Sequence, residues 1–71
     1  MINRIDESKV VMIDYTNYRG ERKIYKILPK KIGFGSTEYH PDDQWMLEAT
    51  DLDRNVERTF AIQDIHSWTP V

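Results

Sequence analysis

The chain has 71 residues, twelve acidic and ten basic side chains, a net charge of −2 and no cysteine, which suits one domain and leaves no room for a second. A chain of this size buries only about 60% of the surface its unfolded form exposes, so its core is thin. The missing cysteines exclude disulfides and thiolate metal sites, and no apolar run reaches the length of a signal peptide or membrane span; the expectation is a cytoplasmic protein with no membrane partner.

Residues 1–9 are mostly polar and without a clear period, and read as a loose lead-in. Val10 to Thr16 is rich in β-branched and aromatic residues, with Val11, Ile13 and Tyr15 on one face at period two. Asn17-Tyr18-Arg19-Gly20 follows as a hairpin loop, because Asn and Gly tolerate the left-handed backbone of a tight connection. Arg22 onward is a second strand, with Ile24 and Leu28 on one side and Tyr25 and Ile27 on the other. Pro29 cannot donate to a ladder, so the strand is expected to bend or change partner there, and Lys30 to Phe34 to continue as a separate short strand.

Residues 33–43 read as a long loop in which His40-Pro41-Asp42-Asp43 suits a type I turn. From Gln44 to Thr50 alternation resumes, with Trp45, Leu47 and Ala49 expected to face inward. Residues 51–55 form the next hairpin loop, and Val56 to Ile62 the fourth strand. A short turn at Gln63-Asp64 leads to a last edge strand ending at Pro70. Five short strands in a meander have exposed edges unless the sheet closes on itself. The expected fold is therefore mostly β: a small, closed, SH3-like or Sm-like five-stranded barrel over residues 10–71, with Trp45 at its centre.

Charge is unevenly spread. Residues 19–37 carry Arg19, Arg22, Lys23, Lys26, Lys30 and Lys31 against Glu21 alone, whereas residues 38–71 carry Arg54 and Arg58 against eight carboxylates. The basic stretch is interleaved with Tyr18, Tyr25 and Phe34, the combination of phosphate neutralisation and base stacking used by single-strand binders. The same lysines would also serve as a solvated strand edge. Arg58, on a strand that otherwise turns Val56, Phe60 and Ile62 inward, suits either a bidentate contact with an anion or an ion pair with Glu48, Asp51 or Glu57.

Other chemistry has little support. Glu38, His40, Asp42 and Asp43 could hold a hard metal, but a turn built on Pro41 accounts for them. Asp51-x-Asp53-x-Asn55 opens like a calcium loop, yet Val56 and Ile62 stand where that loop demands Gly and Glu. There is no nucleophilic Cys, no phosphate-cradling glycine loop and no Ser with a plausible base, so neither an enzyme nor a cofactor is expected.

The order Ile13-x-Tyr15, Gly20, Ile27-x-Pro29, Trp45-Met46-Leu47 and Arg58-Thr59-Phe60-Ala61-Ile62-x-x-Ile65 resembles the WYL domain family over roughly residues 11–68. The family takes its name from a Trp-Tyr-Leu strand, here Trp45-Met46-Leu47. The resemblance implies an SH3-like barrel, a sensing role of the kind found in bacterial transcription regulation and phage defence, and a nucleic acid or nucleotide-like ligand. The family usually follows a helix-turn-helix, which is missing here, so the chain resembles a stand-alone core. Its closing strand tends to read Arg-x-Phe-Arg-x-Asp-Arg-Ile; Arg58 matches the first arginine, while Ala61 and Asp64 stand where the others fall. Tyr25 occupies a position that is basic in the family, with Lys26 adjacent.

Two functions follow as expectations. One is a non-catalytic module binding single-stranded nucleic acid or a nucleotide through Arg58, Lys23, Lys26, Lys30 and Lys31, with Tyr18 and Tyr25 stacking. The other is a protein-interaction or self-association module, its opposed charged segments and edge strands meeting a partner chain.

Overall fold

Val11, Ile13 and Tyr15 are buried on one face of the first strand, whereas Met12, Asp14 and Thr16 on the other are half-exposed. The computed structural model describes residues 7–71, so the expected lead-in lies largely outside the described residues; its last part, Glu7–Lys9, is a 3₁₀ turn. Five strands follow: β1 (Val11–Thr16), β2 (Arg22–Gly35), β3 (Gln44–Asp51), β4 (Val56–Ala61) and β5 (Ile65–Pro70), with a 3₁₀ turn at Ile62–Asp64 before the last. They form one antiparallel sheet in the order β4-β3-β2-β1-β5. The fold is thus mostly β and five-stranded, as the alternation implies.

β2 outruns both its neighbours. Its first half pairs with β1, from Thr16↔Arg22 to Val11↔Ile27, and its second with β3, from Ile27↔Asp51 to Gly35↔Gln44. The change of partner falls at Ile27, two residues before Pro29, whereas the irregularity expected at Pro29 is a slip of register between Pro29 and Lys31. Lys30 to Phe34 nevertheless belong to the same strand, because a bulge absorbs the missing N–H without ending the ladder. Gly33–Gly35 likewise lie in β2 rather than in the loop.

The core occupies one face of this sheet. Val11, Ile13, Tyr15, Tyr25, Ile27, Leu47, Ala49 and Phe60 pack together there, with Ile62 and Ile65 against them. Covering both flanks of that cluster requires the sheet to curl, which brings β4 over β1 although three strand positions separate them. Phe60 meets Tyr15 edge-on at 4.9 Å, and the Ala61 N–H donates to the Tyr15 hydroxyl at 3.0 Å. The expected barrel is not closed by hydrogen bonding: among the described residues no ladder joins β4 to β5. Side chains and the 3₁₀ turn span that gap.

Trp45 is not the centre of the fold. It is 58% exposed, while Met46, expected to face out or onto a second layer, is buried. Parity places Trp45 on the same face as Leu47 and Ala49, but β4 reaches β3 only as far as Met46↔Ala61, and β1 leaves β2 at Ile27. Beyond those points β2 and β3 run on as a two-stranded ribbon. Trp45 there touches Phe34, 5.3 Å away and itself exposed, and the core is centred instead on Leu47, Ile27, Ile13 and Phe60.

This arrangement separates two large apolar residues by their effect on stability. Leu47→Ala is expected to cost about 3 kcal/mol through the cavity it leaves. Trp45→Ala is expected to cost less than about 1 kcal/mol, in the range of surface changes. Urea unfolding of the two variants beside the parent measures both.

Candidate functional site: a tyrosine-walled cleft

Two loops build the rim of a cleft against the inner face of the sheet. In the β1–β2 hairpin, the Asn17 side-chain oxygen accepts from the N–H groups of Arg19 (2.9 Å) and Glu21 (3.0 Å), and the Gly20 N–H donates to the Asn17 carbonyl at 2.9 Å. Gly20 has φ +81°, the left-handed value the loop requires. Asn17 thereby folds the loop around its own side chain and presents Tyr18 at the tip.

The β2–β3 loop is held differently. Thr37 and His40 exchange backbone hydrogen bonds at 2.9 and 3.1 Å, and the His40 N–H also lies 3.1 Å from the Thr37 hydroxyl. The bend therefore encloses Glu38-Tyr39, earlier than the Pro41 turn expected from sequence. Tyr39, at its apex, meets Tyr18 with ring centroids 4.8 Å apart and an interplanar angle of 34°.

Between these loops and the sheet lies a cleft of about 500 Å³. Tyr15, Tyr25 and Phe60 reach it from the core, packed edge to face at 4.9–6.0 Å. Tyr18, Tyr39 and His40 line it from the loops, and Arg58 from β4. Burial is the main cause that pushes the Tyr15 hydroxyl above its usual titration range, so it is neutral and serves as the acceptor for Ala61.

Arg58 is fixed by a carboxylate beneath it. Asp51 is fully buried at the end of β3; one of its oxygens accepts from the N–H groups of Asp53 (3.1 Å) and Arg54 (3.2 Å), the other from Arg54 Nη1 (3.3 Å) and Arg58 Nε (2.7 Å). Both guanidinium carbons lie over the Tyr25 ring, at 5.8 and 5.9 Å. Burial alone would raise the Asp51 pKa, but the donors from Arg58 and Arg54 outweigh it and hold the group below the ordinary carboxylate range. Two guanidiniums against one carboxylate leave a net single positive charge. Arg58 spends only Nε on Asp51, so among the described residues its two terminal amino groups have no protein partner.

The expected basic surface does not assemble. Lys23 and Lys26, three residues apart in an extended strand, fall on opposite faces of β2. Lys30 lies 2.7 Å from Glu57, Lys31 3.5 Å from Glu48, and Arg22 2.9 Å from Asp14. None of these cations lines the cleft. Of the residues singled out from sequence, Arg58, Tyr18 and Tyr25 converge and Lys23, Lys26, Lys30 and Lys31 do not. Tyr39, Tyr15 and Phe60 join the site unannounced: Phe60, expected to point inward, and Tyr15, expected on one face with Val11 and Ile13, are both core residues whose edge also forms a wall. An exposed tyrosine in a polar loop was the one available signal for Tyr39. Among the described residues no three of His, Asp and Glu gather where a metal could sit, which covers the 38–43 loop.

Because the folded pKa of Asp51 is depressed, its contribution to stability is complete above the ordinary carboxylate pKa and is lost as pH falls through the folded value. Asp51→Asn is expected to cost about 3 kcal/mol at neutral pH, as does breaking a buried pair. The cost should shrink in acid, as pH falls below the ordinary carboxylate value of about 4 and on through the lower pH at which the folded carboxylate protonates. Urea unfolding of parent and variant at neutral and acid pH checks the convergence. No protein-family model matches the sequence, and no curated protein or solved structure is significantly similar to it.

Proposed function

We propose that the protein is a non-catalytic binding module whose ligand enters the tyrosine-walled cleft, and that the ligand is a planar ring carrying one acidic group, with nucleotides the best-fitting class. The observation that carries this reading is Arg58. Its guanidinium is oriented by Asp51 and stacked on Tyr25, yet keeps both terminal amino groups free at the cleft, the fork geometry suited to a phosphate or carboxylate. Tyr18 and Tyr39 supply π faces at the rim, where a base or other flat ring can stack. The resemblance to WYL domains supports the same reading, since Arg58 is the position that matches a ligand arginine of that family.

A long single strand tracked by lysines is less well supported. Lys30 and Lys31 are neutralised by Glu57 and Glu48, and Glu38 at the cleft rim would repel a continuous run of phosphates. The ligand is therefore a mononucleotide or a single nucleotide unit of a strand, anchored by one charge.

Salt dependence separates the two modes. One phosphate contact gives a slope of log affinity against log salt of about −0.7, whereas Arg58 together with four lysines would give about −3.5. Fluorescence polarisation of labelled di- and trinucleotides at several salt concentrations is expected to return the shallow slope. Tyr18→Ala and Tyr39→Ala should each weaken binding about 5- to 100-fold, the range measured for stacked bases, while Lys26→Ala leaves it unchanged. A steep slope, a dependence on Lys26, or no binding at low salt overturns the proposal.

A further inference from the structure

We infer that two copies of this chain pair edge to edge through the second half of β2, antiparallel about a twofold axis at Gly33. From Leu28 to Gly35 this strand pairs with β3 on one side, and among the described residues no strand pairs on its other side, because β1 leaves it at Ile27. It is an exposed, unpaired edge, the feature through which strands most readily add.

Edges of this kind are ordinarily guarded by free lysines. This edge has two, but each is neutralised within its own sheet, Lys30 by Glu57 and Lys31 by Glu48. The same stretch leaves its apolar side chains uncovered: Ile32 is 60% exposed and Phe34 62%. Cross-strand pairing of Phe34 with Trp45 and of Ile32 with Leu47 puts all of them on one face, and Trp45 widens the apolar strip by a second row.

The pattern of residues selects a second copy as the occupant, and selects the register. With Gly33 opposite Gly33 of the second copy, Ile32 faces Phe34 and Phe34 faces Ile32, so each apolar residue meets another on the uncovered face. Lys31 then lies opposite Gly35, and the two lysine pairs stand apart. Sliding the register toward the start of the strand takes Phe34 away from Ile32 of the mate, and Pro29 offers no N–H there. On the opposite face Gly33 and Gly35 carry no side chains, and nothing lies within 4 Å of where a Cβ would stand. The contact is isologous, so it closes as a dimer and consumes this edge in both chains. It uses neither the cleft nor Arg58, and stands or falls independently of the ligand.

The test is sedimentation equilibrium of the full chain from about 1 μM to about 1 mM, the affinity range of small interfaces. The mean mass should rise from the 8.5 kDa of one chain toward twice that value. Phe34→Lys and Ile32→Lys should remain at the monomer mass throughout, while unfolding at the same denaturant concentration as the parent at high dilution. Ile24→Lys alters an exposed apolar residue on the opposite face of β2 and should leave association unchanged. In a Trp68→Phe background Trp45 is the only tryptophan; its emission should shift to the blue with rising concentration in the parent but not in Phe34→Lys. A chain monomeric over the whole range, association that survives Phe34→Lys, or association lost in Ile24→Lys overturns the inference.

Discussion

Ile27 stands in register between Val11 of β1 on one side and Asp51 of β3 on the other, where β2 passes from one partner to the next. Strands of six and eight residues cannot both lie alongside the whole of a fourteen-residue strand when they take opposite halves of it. The sheet must therefore turn about this point, with β1 and β5 on one limb and β3 and β4 on the other. Because the apolar residues of all the limbs share one face, the turn is also the way that face leaves water. The contact of Tyr15 with Phe60, the cleft, and the bare outer half of β2 all descend from that single handover.

Asp51 sits directly across from Ile27 and gives the second limb its electrostatic character. A carboxylate with no solvent exposure is costly unless fully satisfied, and here four donors satisfy it, two from the backbone of the following hairpin and two from guanidiniums. The same group thus shapes the β3–β4 turn and aims Arg58. A substitution in this hairpin would consequently move a cleft residue, although the hairpin itself does not line the cleft.

Much of this was legible in the sequence, and what was not has a physical reason. Alternation located β1, set Tyr25 and Ile27 on one side of β2, and turned Leu47 and Ala49 inward, because period two reads directly as a face. Both hairpins were legible from Asn17-x-x-Gly20 and Asp51–Asn55, whose side chains make the loop hydrogen bonds themselves. Trp45 was misplaced because parity gives the face of a residue but not how far the neighbouring strands extend. The lysines clustered in sequence but not in space, since extended chain sends Lys23 and Lys26 to opposite faces and brings Glu48 and Glu57 beside Lys31 and Lys30 from strands that periodicity does not register. Tyr39 reached the cleft through backbone bonds between Thr37 and His40, which leave no mark in composition.

The hydrogen bond from Ala61 to Tyr15 spans 46 residues of chain. The hairpins that make up most of the sheet join segments adjacent in sequence and carry little loop-closure entropy, whereas bringing β4 over β1 and seating β5 on β1 must close nearly the whole chain. Tyr15 and Phe60, two of the cleft's inner walls, come together only when that long closure is made. A chain with its hairpins formed but its ends apart would have most of its secondary structure and no cleft at all. Occupancy of the cleft is therefore a report on completed folding, and a ligand there would draw the chain specifically toward its closed form rather than toward any of the partial sheets that precede it.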